Sequence, residues 1–273
     1  MTSYTGIDDL AISLEGNVLS LTLNRPGSLN SLTEDMLVTV ADAVDRAADD
    51  PDVRVIRLQG AGRGFCSGAG IGAEDQATAK TTAKTTAETA EVDTLLLAAN
   101  RAVRSLVASP KPVVAVVHGA AAGVGVSLAL AGDVVLASET SFFLLAFTRI
   151  ALMPDGGATA LVAAAIGRIR AMRMALLAER LSATDAAECG LVSAVYPDDD
   201  LEAGVAAVID RLRSGPAVAL AKTKQAINAA TLAELEAAIG RETEGQSVLI
   251  KARDFAEGTK AFQQRRKPSF TDV

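Results

Sequence analysis

Two glycine-rich stretches hold the residues best placed for chemistry. The first, Gly60-Ala-Gly-Arg-Gly-Phe-Cys-Ser-Gly-Ala-Gly-Ile-Gly72, follows a β-branched apolar run, so its backbone is free to approach a ligand. It lacks the Gly-Lys-Ser/Thr ending of a phosphate loop and the glycine spacing of a dinucleotide fingerprint, so neither nucleotide reading holds. The second, His118-Gly-Ala-Ala-Ala-Gly-Val-Gly-Val-Ser127, lies between a buried-strand pattern and a helix pattern. A helix start gathers unpaired N–H groups and partial positive charge, so an N–H near Val124 can hold a developing oxyanion without a charged side chain. Two such turns at neighbouring strand ends make a two-donor hole.

Other reactive side chains are few. His118 is the only histidine, and its position at a strand end before Gly119 fits a structural hydrogen bond better than a catalytic base. Cys66 has no nearby histidine in sequence to activate it and reads as a buried structural thiol. Cys66 and Cys189 have neither metal nor redox-motif spacing, which implies free thiols, no metal site and a reduced, cytoplasmic setting.

The elements that must position these turns alternate between strand and helix. Residues 18–23 and 53–58 read as strands, and between them Ser31-Leu-Thr-Glu34 resembles a capping box. The helix it opens carries Met36, Leu37, Val40, Val44 and Ala47 on one side. A helical pattern over 93–108 ends at Ser-Pro-Lys-Pro, residues 113–117 form a wholly apolar strand, 123–131 a buried helix and 133–137 a returning strand. From residue 156 the pattern is helical over 156–166, 168–178, 184–189, 201–213 and 216–230, with one strand candidate at 191–196. A long helix over 232–255, capped by Thr231, follows. Residues 77–92 repeat Thr-Ala-Lys-Thr without apolar periodicity, as expected of a flap beside a pocket or of a tolerated surface insertion.

At 273 residues and 49% hydrophobic, the chain can bury a large core, and with only 3% aromatics that core must rest on Ala, Val, Leu and Ile. A net charge of −7 argues against nucleic acid and membrane surfaces as partners, and no apolar run is long enough to span a bilayer. An anionic ligand would need a local basic pocket. Arg265, Arg266 and Lys267 offer one, unless they are a solvated tail.

Taken in order, Asn24-Arg-Pro-Gly-Ser-Leu-Asn30, Gly64-Phe-Cys-Ser-Gly-Ala69, Lys111-Pro-Val-Val-Ala-Val-Val-His-Gly119, the helix before Asp133 and Pro154-Asp-Gly-Gly157 resemble the crotonase, or enoyl-CoA hydratase/isomerase, superfamily. The resemblance spans nearly the whole chain. It implies an α/β fold, a spiral of β-β-α units over residues 1–200 with the acyl-CoA site, and a helical region over 201–273 for trimerisation, the assembly being a homotrimer or a hexamer made of two trimers. By motif position, Ser67 and Val124 supply the oxyanion-hole N–H groups, and Ser28, Leu29, Ala69 and Ile71 line the coenzyme A region. No separate cofactor is implied, since coenzyme A is part of the substrate.

Departures from the family pattern bear on the reaction. The two glutamates of a hydratase align with Ser127 and Phe147, which removes the carboxylate pair that would activate water and deliver a proton. Asp155 resembles, in position, the acid/base aspartate of dienoyl-CoA isomerases and of the ring-epoxide isomerases of phenylacetate degradation. One carboxylate is sufficient for a double-bond shift, and an apolar neighbour at Phe147 makes it a stronger base. The bland alternative is that Asp155 merely caps the next helix. The sequence therefore points to an enoyl-CoA isomerase, with a hydratase of fatty-acid breakdown using an unlocated carboxylate, or a non-catalytic acyl-CoA binder, as alternatives. Gly70, where the family usually has Asp, also departs and loosens the expected turn beside the adenine pocket.

Overall fold

The computed structural model describes residues 4–70 and 94–272, so Ile71 and the proposed 77–92 flap lie outside the described residues. Strands β1 (Leu10–Glu15) and β2 (Val18–Leu23) form an antiparallel hairpin whose turn residues, Gly16 and Asn17, both have positive φ. Strands β3 (Val55–Gly60), β4 (Val113–Val117), β5 (Ala120–Ala122), β6 (Val134–Ser138), β7 (Phe142–Leu144), β8 (Leu181–Ser182) and β9 (Ala194–Tyr196) follow. Six of these strands make one sheet in the order β1-β2-β3-β4-β6-β9, parallel from β2 onward. The short strands β5, β7 and β8 make a second sheet.

The helices are α1 (Glu34–Asp49), α2 (Thr94–Ala108), α3 (Val124–Leu130), α4 (Ala158–Leu177), α5 (Ala183–Glu188), α6 (Leu201–Ser214), α7 (Ala217–Thr231), α8 (Leu235–Leu249) and α9 (Arg253–Gln263). Side chains alternate across a strand, so a strand covered on both faces must be apolar throughout. In β4, Val114 and Val116 pack with Leu201, Val205 and Ile209 of α6, while Val113, Ala115 and Val117 face the larger core with α1, α2 and α3. Helix α6 therefore packs on the sheet, although the boundary drawn at residue 201 assigns it to the C-terminal region. Among the described residues no helix is long and apolar enough to cross a membrane.

Three local expectations are corrected. Thr33, not Ser31, caps α1, accepting from the Met36 N–H at 3.3 Å, because Ser31 is held by Arg25 and Ser28 at 2.8 Å each. The long helix expected over 232–255 is two helices: Ala252 is extended, with ψ 151°, and α9 turns back so that Gly258 meets the Ile150 backbone. A Cβ at Gly258 would lie 2.6 Å from the Ile150 Cα, so the chain must fold back there and a straight helix cannot form that contact. Thr231 caps nothing; its hydroxyl donates to Ile227 O within α7 at 2.8 Å. The break expected between residues 166 and 168 is present, since Gly167 interrupts α4 with φ 76° and ψ 159°.

Candidate active site

The two glycine-rich turns meet edge to edge. Cys66 N–H donates to Ala120 O and Ala122 N–H to Cys66 O, both at 2.9 Å, which aligns the 66–69 segment with β5. Gly68 and Gly123 then touch, and a Cβ added at Gly123 would lie 3.6 Å from the Gly68 Cα and 3.9 Å from Phe147 Cζ. Gly123 has φ 55° and ψ −133°, a conformation essentially reserved for glycine, and it turns the chain directly into α3. No side chain caps that helix start. The carbonyl four residues before Val124, Ala120 O, is taken by Cys66, so the Val124 N–H has no intrahelical acceptor.

Ser67 lies on the opposite side of this contact. Its N–H donates to Leu29 O and its hydroxyl to Ser28 O, each at 2.9 Å. Ser28, Leu29, Ser67 and Ala69 are thus gathered in one strip, but in this conformation the Ser67 N–H has a protein acceptor. Asn30, fully buried, ties the strip to the first turn: its Nδ2 donates to Ala61 O at 2.9 Å and Gly64 O at 2.8 Å, and its Oδ1 accepts the Arg25 N–H at 2.8 Å.

Asp155 approaches from the side of α3. The Ser127 hydroxyl donates to Asp155 O at 2.8 Å, so this serine is a fully buried tie. A Cβ at Gly156 would come within 2.9 Å of Val124 Cγ2, which brings the 155–157 turn against the start of α3. Phe147, 7% exposed, puts an aromatic ring at the other position where the motif resemblance would set a hydratase glutamate. The structure thereby places Val124, Phe147 and Asp155 around Gly123 and Gly156, with Ser67 across the Gly68 contact.

The first turn of α4 is capped from a distance. Glu242 of α8, fully buried, accepts the Gly157 N–H through Oε2 at 2.6 Å and the Thr159 N–H through Oε1 at 2.8 Å. The intervening Ala158 N–H goes to the main-chain oxygen of Asp155 at 3.2 Å. Burial pushes the Glu242 carboxyl up from its ordinary value, and the bonds from Thr159 and Gly157 oppose that rise. One turn further along α8, Gln246 accepts the Met153 N–H through Oε1 at 3.4 Å and donates through Nε2 to Asp155 Oδ2 at 2.7 Å.

Glu242 and Gln246 were missed in the sequence, although they continue the inward stripe of Leu235, Ala238 and Ile239 at helical spacing. A polar residue extending an apolar stripe is the signal that marks them. His118 donates through Nε2 to Gly62 O at 2.8 Å, the structural role expected of it. Cys66 is fully buried, and desolvation pushes its thiol up to about 12, so it is protonated and inert at neutral pH. Arg266, one of the basic residues offered for an anionic ligand, is instead paired with Glu257 through both guanidinium nitrogens.

Residues 13–273 match the enoyl-CoA hydratase/isomerase family. The 1,2-epoxyphenylacetyl-CoA isomerase of Escherichia coli K12 is 36% identical over 262 residues, covering 94% of this chain and 96% of that protein. A probable enoyl-CoA hydratase of Rhodobacter capsulatus is 40% identical over 251 residues, covering 92% and 93%. The solved structure of an enoyl-CoA hydratase from Mycobacterium avium subsp. paratuberculosis K-10 is similar with a TM-score of 0.89 at 60% identity, covering 98% of this chain and all of that one. With two glycine turns meeting at a helix start, and with this extent of likeness, the chain belongs to the enoyl-CoA hydratase/isomerase family of the crotonase superfamily.

Proposed function

We propose that this protein is an enoyl-CoA double-bond isomerase in which Asp155 is the single acid/base. The observation that carries the reading is the set of residues around Val124: the 155–157 turn that carries Asp155 packs against it, whereas the two positions expected to hold hydratase glutamates carry a buried serine tied to main chain and an aromatic ring. The isomerase from Escherichia coli supports it, and the hydratase names among relatives of similar identity support the alternative.

In the proposed reaction Asp155 removes a proton from C2 of a 3-enoyl thioester. The C2–H electron pair moves towards the thioester carbonyl, giving a dienolate whose oxygen is held by the N–H groups of Val124 and Ser67. For Ser67 this requires the thioester oxygen to replace Leu29 O as its acceptor. The protonated Asp155 then returns the proton to C4, and the double bond moves from C3–C4 to C2–C3. Ser28, Leu29 and Ala69 border the coenzyme A end, and Ile71 is proposed to continue that border.

Exposed apolar side chains on the late helices, among them Ile169, Leu176 and Leu177 of α4 and Val218 and Ile227 of α7, support assembly into a homotrimer or a pair of trimers. The test of function is a purified-enzyme assay on 2-enoyl-, 3-enoyl- and aryl-CoA thioesters with product identification by mass spectrometry. Asp155→Asn is expected to lower 3-enoyl-CoA isomerisation by about 10²–10⁴-fold. Undiminished isomerisation by that variant contradicts the mechanism, and rapid water addition to 2-enoyl-CoA favours the hydratase alternative.

A further inference from the structure

Helix α8 presents two buried polar side chains, four residues apart, to the loop that carries Asp155. Each closes a different part of that loop. Glu242 holds the N–H groups of Gly157 and Thr159, downstream of the aspartate. Gln246, 1% exposed, holds the Met153 N–H upstream and the Asp155 carboxylate itself.

The orientation of the Gln246 amide follows from its partners. A main-chain N–H only donates, so the atom facing Met153 is the amide oxygen, and the atom 2.7 Å from Asp155 Oδ2 is the NH₂ nitrogen. An NH₂ donor requires an acceptor, and a carboxylate is a better acceptor than a carboxylic acid. With Gln246 fixed by burial, its amide therefore favours the ionised form of Asp155 and holds one carboxylate oxygen in place.

We infer that Gln246 is a positioning residue for proton transfer: it orients the Asp155 carboxylate and keeps it ready to act as a base. The inference rests on the reading of Asp155 as the acid/base. Other elements pack on this loop as well. Helix α3 contributes Ser127, whose hydroxyl goes to the main-chain oxygen of Asp155. The 147–150 turn contributes Phe147 and Arg149, and the Arg149 guanidinium reaches Ala178 O at 2.6 Å. The neighbouring ionisable group on α8 is Glu242, which is engaged with the start of α4.

Gln246→Met keeps the length and bulk of the side chain but removes both hydrogen bonds. Loss of one hydrogen bond to a charged group is expected to lower kcat by about 10–100-fold, with KM changed by less than about twofold. Losing a bond to the ionised form also raises the carboxyl pKa, so the acidic limb of the pH profile of kcat/KM should move up by about one pH unit. Gln246→Glu carries the same test should the Met variant fail to fold. A second carboxyl group beside Asp155 makes the pair share a proton, and the acidic limb should move up further than in the Met variant.

A soluble variant with wild-type kcat and an unshifted acidic limb overturns the inference. If Asp155→Asn remains fully active, the acid/base reading itself fails. If Asp155→Asn is inactive while both Gln246 variants keep the wild-type profile, that reading stands and only the role of Gln246 is lost.

Discussion

The two halves of the candidate site are built by different means. The proposed oxyanion side is made of main chain: Gly68 against Gly123, Cys66 bridged to β5, and Val124 opening α3. The proposed acid/base side is made of side chains, with Asp155 held by Gln246 and its loop held by Glu242 and Ser127. A hole made of main chain would depend on backbone angles and tolerate varied side chains at Ser67 and Val124. A side-chain site depends on each partner, and each can be removed singly.

That contrast can be broken most forcefully at Gly123. Gly123→Ala has room for the methyl group, since the nearest atoms would lie 3.6 Å and 3.9 Å away, but it places an alanine in a conformation that L side chains rarely adopt. The turn must rotate to relieve the strain, and the Val124 N–H moves with it. Turnover is expected to fall by about 10²–10³-fold, the usual effect of losing one oxyanion donor. Near-normal kcat in a folded Gly123→Ala enzyme would show that the hole does not depend on this backbone.

A smaller effect is expected at Glu242. Glu242→Gln can still accept from Thr159 through its oxygen, but its NH₂ would face the Gly157 N–H, donor against donor. Leaving that buried N–H unsatisfied costs about 1–3 kcal/mol, a fall in Tm of several degrees for a chain of this size. Burial raises the Glu242 pKa, so between the unfolded and folded values the native state binds more protons, and this group's contribution to stability declines as pH rises through that window. Thermal melts across pH check both points: the variant should melt lower, and this part of the pH dependence should be gone.

How much was legible in the sequence follows the same division. The strand over 18–23 and the strand over 113–117 read correctly because β-branched runs between turn residues form strands locally, and 113–117 is apolar throughout because helices cover both its faces. The meeting of the two glycine-rich turns was legible because glycines record backbone requirements at their own positions. Glu242 and Gln246 were not, since their partners lie 83–93 residues away and only the folded chain brings them together. The same reason hid the engagement of the Ser67 N–H with Leu29 O, a contact between segments that the motif reading treated separately. The β1–β2 hairpin was half seen, and the three-stranded second sheet was missed because its strands have only two or three residues.

The bland reading of Asp155 as a helix cap meets a specific obstacle. The Gly157 and Thr159 N–H groups go to Glu242 and the Ala158 N–H to the Asp155 main-chain oxygen, so these three donors do not call on the Asp155 carboxylate. That carboxylate accepts from Gln246, and the 155–157 turn packs against the start of α3.

The most direct test follows one hydrogen. A 3-enoyl-CoA carrying deuterium at C2, incubated with the enzyme in ordinary water, should yield 2-enoyl-CoA with part of that deuterium at C4. The transfer should vanish in Asp155→Asn. A product that is mainly 3-hydroxyacyl-CoA, or label transfer that persists without the Asp155 carboxylate, would contradict the claim that one aspartate moves the proton between two carbons.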